Sequence, residues 1–111
     1  METLRFNFSG GQRRIDGARL VGVVGSGNLE ILIEKQPLDG ACAIEISTAA
    51  HGFGPIWEAV VRDFHQRWQL ADVHVSINDM GATPAVVSLR LDQAAESITG
   101  SVSGQISGEA S

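Results

Sequence analysis

The residue whose setting most invites chemistry is Ser26, in "VVGSGNLEILIE" at positions 23–34. A small hydroxyl stands between two glycines, with an apolar run before it and an alternating run after it. A phosphate loop of the Walker type would need a lysine after the glycines and then a helix, whose free N–H groups receive the phosphate. A dinucleotide fingerprint needs a helix there too. Here "GSGN" runs into "LEILIE", which has the period of a strand, and no lysine follows. An esterase elbow places its serine as G-x-S-x-G on a strand-to-helix turn, and this chain has neither the outer spacing nor the helix. Both nucleotide readings and the hydrolase reading fail on context.

What remains is a hairpin turn, for which Gly and Asn are suited because they accept positive φ. Such a turn also exposes. Glycines on either side remove steric shielding, so a serine here offers its Oγ to another protein's active site. That suits a residue acted upon better than one that acts.

The other reactive side chains assemble nothing comparable. His51 precedes a predicted helix, His65 falls on that helix's polar face, and His74 lies in a strand. Their spacing pairs none of them with Ser26 as a base, and no Cys or carboxylate pattern at metal-ligand spacing accompanies them. No catalytic residue and no metal site are expected. Cys42, the single cysteine, shares a strand face with Ile44 and Ile46 and reads as a small buried hydrophobe. Trp57, Phe64 and Trp68 recur at helical spacing and read as core. "HGFGP" is read as a helix-entry loop or a surface closing over a ligand. "INDMGATP" is read as a strand-to-helix turn or a partner seat that exposes Asn78 and Asp79.

These residues need elements to hold them. "TLRFNFS" (3–9) alternates Leu4, Phe6 and Phe8 against Arg5 and Asn7 and predicts a strand. "GGQRRIDGA" (10–18) is a polar, glycine-rich connection. "RLVGVVG" (19–25), "NLEILIE" (28–34) and "CAIEIS" (42–47) predict three more strands, with "KQPLDGA" a turn before the last of them. The period then changes. Trp57, Val60, Val61, Phe64 and Trp68 fall at three- and four-residue steps, with Glu58, Arg62, His65 and Gln66 opposite. This predicts a helix over 54–69, with Pro55 in its first turn. "VHVSIND" (73–79) returns to period two. "ATPAVVSLRLDQAAES" (82–97) predicts a second helix, with Thr83 as N-cap, Pro84 at the first helical position and Val87, Leu91 and Ala94 as its buried stripe. From Ile98 the chain is rich in Ser and Gly and is expected to form a flexible tail. The predicted fold is α+β: a mostly antiparallel sheet of about five strands packed on one face by two helices, with residues 1–97 as the domain and 98–111 as the tail. The segment from "CAIEIS" to "VHVSIND" could be a parallel crossover.

Composition narrows the partners. The 111 residues fit one small domain, and the net charge is -5. One lysine and scattered arginines do not make a nucleic-acid surface. No apolar run is long enough for a membrane span, and no signal peptide is visible. A cytoplasmic location is expected, and the acidic balance could steer docking to basic surfaces.

Three blocks, "VGVVGSGNLEILIE", "GFGPIWEAVVRDFHQRW" and "INDMGATPAVVSLRLDQA", together resemble the small acyl carrier, or delta, subunit of bacterial malonate decarboxylase, over about residues 1–96. The third block is also similar to the citrate lyase carrier subunit. The resemblance implies a carrier and not a catalyst. It implies that Ser26 is joined through a phosphodiester to 2'-(5''-phosphoribosyl)-3'-dephospho-CoA. The thiol of that group carries acetyl, which a malonyl transferase exchanges for malonyl before decarboxylation. A thioester acidifies the α-carbon, which eases loss of carbon dioxide, and tethering raises the local concentration at each active site. The implied partners are the acyl transferase and decarboxylase subunits and the prosthetic-group transferase. The family often has an acid after the second glycine where this chain has Asn28, which shifts recognition toward Glu30 or another carboxylate. The Asp-Ser-Leu motif of helical acyl carrier proteins is absent, so their fold is not implied. From a different class, a small interaction module without covalent cargo would show the same strand and helix pattern.

Overall fold

The computed structural model describes residues 2–14, 21–26 and 28–99, with the backbone alone given for 21–26 and 99. Strands β1 (Glu2–Phe8), β3 (Val21–Ser26), β4 (Leu29–Lys35), β5 (Cys42–Thr48) and β7 (Val73–Asp79) form one sheet in the order β1-β5-β7-β4-β3. Three neighbouring pairs are antiparallel, while β5 and β7 run parallel. The parallel pair has its cause in the connection between its strands. Helix α1 (Gly54–Trp68) lies between them in sequence and carries the chain back to the starting edge, as a parallel connection requires.

The sheet has one dry face because its strands alternate. Leu29, Ile31 and Ile33 of β4, Cys42, Ile44 and Ile46 of β5, and Val73, Val75 and Ile77 of β7 are all buried. Register stacks them, Ile31 beside Ile77 beside Ile46 and Ile33 beside Val75 beside Ile44. Helix α1 supplies Trp57, Val61, Phe64 and Trp68 to this face, and helix α2 (Pro84–Thr99) supplies Val87, Leu91, Ala94 and Ala95. The helices pack against each other, α2 over β3 and β4 and α1 toward β1. A polar clasp ties them: Asp92 Oδ1 accepts from Trp68 Nε1 at 2.8 Å and from Arg67 at 2.8 Å. No helix among the described residues is long and apolar enough to cross a membrane.

Four details depart from the sequence reading. Within the expected connection, Arg13–Arg14 form a short strand β2, parallel to β6 (Leu70–Ala71). Two residues show no period, so tertiary contacts decide: Arg13 lies over the Trp68 ring at 5.5 Å and Arg14 pairs with Asp72. Gly11 is required there, since a Cβ would stand 2.3 Å from the Leu70 carbonyl oxygen. The second departure is α2, which runs through Thr99 and not Ser97, because Ile98 continues the Leu91–Ala94–Ala95 stripe and packs against the core. Third, Val60 is only half-buried, at the margin of the α1 stripe.

The fourth is His65. It is buried rather than solvent-facing, its ring stacked on Phe8 with centroids 5.0 Å apart. Edge strand β1 covers a position that the helical wheel assigns to water. Desolvation lowers the His65 pKa below its ordinary value, and buried Nδ1 has no hydrogen-bond partner among the described residues. The unfolded chain therefore takes up the proton first. This contribution to stability is complete above the ordinary value of about 6.5 and is lost as pH falls through it toward the lower folded value. Urea titrations at pH 7.5 and 5.5 should show a smaller loss of stability on acidification in His65→Phe than in the natural chain.

Candidate functional site: the end of the β3–β4 hairpin

Strands β3 and β4 pair without a slip from Val21 opposite Glu34 to Ser26 opposite Leu29. Ser26 closes one strand and Leu29 opens the next, so two residues, 27 and 28, join them. Gly27 lies outside the described residues, and Asn28 is exposed. Two-residue connections of this kind are the commonest hairpin turns, and their twist favours Gly and Asn. The next element after Ser26 is strand β4, so no helix follows the serine in the chain.

The sheet places Ser26 at one end of a row. Leu29 neighbours Asp79 of β7, and Asp79 neighbours Thr48 of β5. Asp79 fastens this end. Its Oδ2 accepts from Thr48 Oγ1 at 2.8 Å, and its Oδ1 accepts from the backbone N–H of Ala82 at 2.7 Å and of Gly81 at 3.1 Å. Its chain neighbour Met80 donates its backbone N–H to the Asn28 carbonyl at 2.9 Å, which ties the β7–α2 turn to the hairpin. Thr83 Oγ1 then caps α2 through the Val86 N–H at 3.4 Å. The sequence suggests Asp79 as an exposed partner contact, and the structure corrects this. Asp79 is buried, at 2 % exposure, because it satisfies three donors from within, whereas its neighbour Asn78 is exposed as expected. The signal for this is present in the Asp that precedes "MGA": a short carboxylate can accept N–H groups two and three residues on.

The remaining candidates lie apart from this end or are engaged elsewhere. His65 is held under Phe8. His74 sits opposite Glu34, at the far end of β4 from Leu29, and meets Ser76 Oγ at 3.4 Å. His51 is exposed in the loop after β5. No cluster of three or more His, Cys, Asp or Glu among the described residues is placed to hold a metal ion.

Residues 17–98 match the family model of the malonate decarboxylase delta subunit, MdcD. The chain belongs to that family. It is 61% identical over 102 residues to the malonate decarboxylase acyl carrier protein of Xanthomonas euvesicatoria pv. vesicatoria (strain 85-10), an alignment covering 90% of this chain and 97% of that protein. It is 62% identical over 101 residues to the malonate decarboxylase acyl carrier protein of Burkholderia cepacia, covering 88% and 91%. The fold is similar to a chain in the crystal structure of a Pseudomonas malonate decarboxylase hetero-tetramer in complex with malonate. There the TM-score is 0.70 and the identity 36%, over 88% of this chain and 99% of that one. The delta-subunit family thus accounts for a strand-rich acyl carrier, unlike the helical bundles of other carriers.

The single cysteine takes no part in this end of the sheet. Cys42 is fully buried, and burial pushes its thiol up to about 12. The thiolate, which is the reactive form, is absent near pH 8. A disulfide reagent at pH 8 should therefore find no reactive thiol in the native, unloaded chain and one per chain in concentrated urea.

Proposed function

We propose that Ser26 is the attachment point through which this acyl carrier chain holds 2'-(5''-phosphoribosyl)-3'-dephospho-CoA in a phosphodiester. The observation that supports this most directly is the place of Ser26 in the fold, the last strand position before a two-residue hairpin connection. Attachment requires the transferring enzyme to bring a phosphorus atom to bonding distance of Oγ, and a hairpin end is the part of a sheet that another active site can most readily surround. When bound, the group supplies a thiol that holds acetyl or malonyl as a thioester.

The chain's own residues provide position and not bond-breaking. The Asp79 fastening and the Met80–Asn28 bond hold the hairpin end against the body of the sheet. The sheet–helix core keeps that end rigid, while the tether raises the concentration of cargo at each partner site. Asn28 leaves the turn without the acid common in the family, and Glu30, exposed and two residues along the chain, offers the nearest carboxylate in sequence for a basic partner surface. The proposed partners are the prosthetic-group transferase, the malonyl transferase, and the acyl transferase and decarboxylase subunits of a malonate decarboxylase, all in the cytoplasm.

Intact-mass measurement after co-expression with the modifying enzymes tests the assignment. The added mass should equal the prosthetic group, and peptide mapping should localise it to Ser26. A chain that gains no mass, or gains it at another residue, refutes the site. The thiol count gives an independent reading, rising from none to one per native chain on loading, because Cys42 stays silent.

A further inference from the structure

The end of the sheet that carries Ser26 also carries a groove of about 310 Å³, between the loop before α1 and the turn before α2. Its walls are Ala50, Phe53, Ile56, Trp57, Ala82 and Pro84, with Asp79 and Thr83 as its polar lining. Phe53 and Ile56 on its rim are 46 % and 44 % exposed, which is costly for large apolar groups that serve no contact.

Three observations limit what fills it. First, its lining is poor in donors. Asp79 is acceptor-only and both its oxygens accept internal donors, Thr83 Oγ1 accepts the Val86 N–H and keeps a single O–H to donate, and no Lys, Arg or His lines the groove, too little to hold a phosphate. Second, the negative charge of Asp79 opposes a carboxylate brought into the same apolar space. The occupant is therefore a neutral chain. Third, position favours a ligand tethered at Ser26. Ser26, Leu29 and Asp79 are successive neighbours in one row, so the serine backbone stands two strand spacings, about 10 Å, from the groove. A recess of about 310 Å³ has room for the end of a flexible chain, and a tethered chain end needs little intrinsic affinity to occupy it. The effective concentration of the tethered end is in the mM range, so a seat with an intrinsic Kd of about 1 mM would be half occupied.

We propose that this groove is a resting seat for the neutral sulfur-bearing end of the arm attached at Ser26, one that takes the thiol and acetyl forms and turns away the malonyl form. The proposal rests on the assignment of Ser26. Its consequence is a carrier that shelters its arm between visits and releases it when the cargo gains a carboxylate.

Amide spectra of the isotope-labelled chain, unloaded, acetyl-loaded and malonyl-loaded, test this. Loading at Ser26 is first verified by mass. Acetyl loading should shift the amides of Phe53, Ile56 and Ala82 and the Trp57 indole, and malonyl loading should return them toward the unloaded positions. In Ile56→Glu, with unchanged circular dichroism and unchanged loading, the acetyl-dependent shifts should vanish. The thiol form of the natural chain should be alkylated by iodoacetamide about twofold more slowly than that of Ile56→Glu, because half occupancy halves the exposed fraction. Shifts confined to the hairpin end overturn the proposal, as does a groove response of equal size in the malonyl form. A chain that takes no mass at Ser26 overturns the attachment site itself, and this inference with it.

Discussion

Ser26→Ala should abolish malonate decarboxylation by the assembled complex while leaving this chain folded and associated with its partners. The two halves of that result separate a carrier from a scaffold. Position 26 is a strand end with only residues 27 and 28 between it and β4. Removing one hydroxyl there leaves the apolar core of Leu29, Ile31 and their neighbours on β7 intact. Activity, by contrast, should fall to background and not by a graded factor, because no other residue can replace a covalent anchor. Size-exclusion chromatography of the co-expressed complex checks assembly, and carbon dioxide release from malonate checks turnover. Retained turnover would leave the interaction-module reading standing and remove the carrier reading. Ser26→Thr, which keeps a hydroxyl but adds a methyl group, should recover part of the loading where alanine recovers none.

Much of the fold is legible in the sequence because the relevant patterns are local. Period-two runs mark β4, β5 and β7 nearly to the residue, and the Thr83–Pro84 pair marks the start of α2. The failure of every phosphate-loop and hydrolase reading of Ser26 also rests on a local fact, that a strand and not a helix comes after it. The larger misses are long-range. Arg13 and Arg14 pair with a strand 57 residues on, which no window along the chain contains. His65 is buried by β1, an element from the opposite end of the sequence. Asp79 reads as a surface carboxylate until β5 brings Thr48 beside it. The groove is likewise invisible in sequence, since residues 50–57 and 79–84 meet only because β5 and β7 are neighbours and parallel, which puts the loops after them at the same end.

Asp79→Ala is expected to be the most damaging single change at that end, lowering stability by about 2–4 kcal/mol. Three donors lose their acceptor: the Thr48 hydroxyl, the Gly81 N–H and the Ala82 N–H. Each buried orphan costs about 1–3 kcal/mol. Gly81 is exposed and Ala82 half-buried, so water replaces part of what they lose, whereas Thr48 is fully buried and receives nothing. For a domain of this size the midpoint should fall by roughly 10–20 °C. A double-mutant cycle identifies the cause. Thr48→Val removes the orphaned hydroxyl, so adding it to Asp79→Ala should recover up to about 1 kcal/mol, although Thr48→Val alone destabilises the natural chain by leaving Asp79 one donor short and the Ala50 N–H without its Thr48 acceptor. Purely additive effects would mean that the two side chains do not act through their shared hydrogen bond. Asp79→Asn should fall between the natural chain and alanine, because an amide oxygen still accepts from the backbone or from Thr48 but cannot serve every donor with the strength of a carboxylate. Because the Met80–Asn28 bond begins one residue beyond Asp79, prosthetic-group loading at Ser26 should slow in the same order, carboxylate, amide, alanine. Loading that is indifferent to this series would mean that the hairpin end holds its shape without help from the β7–α2 turn.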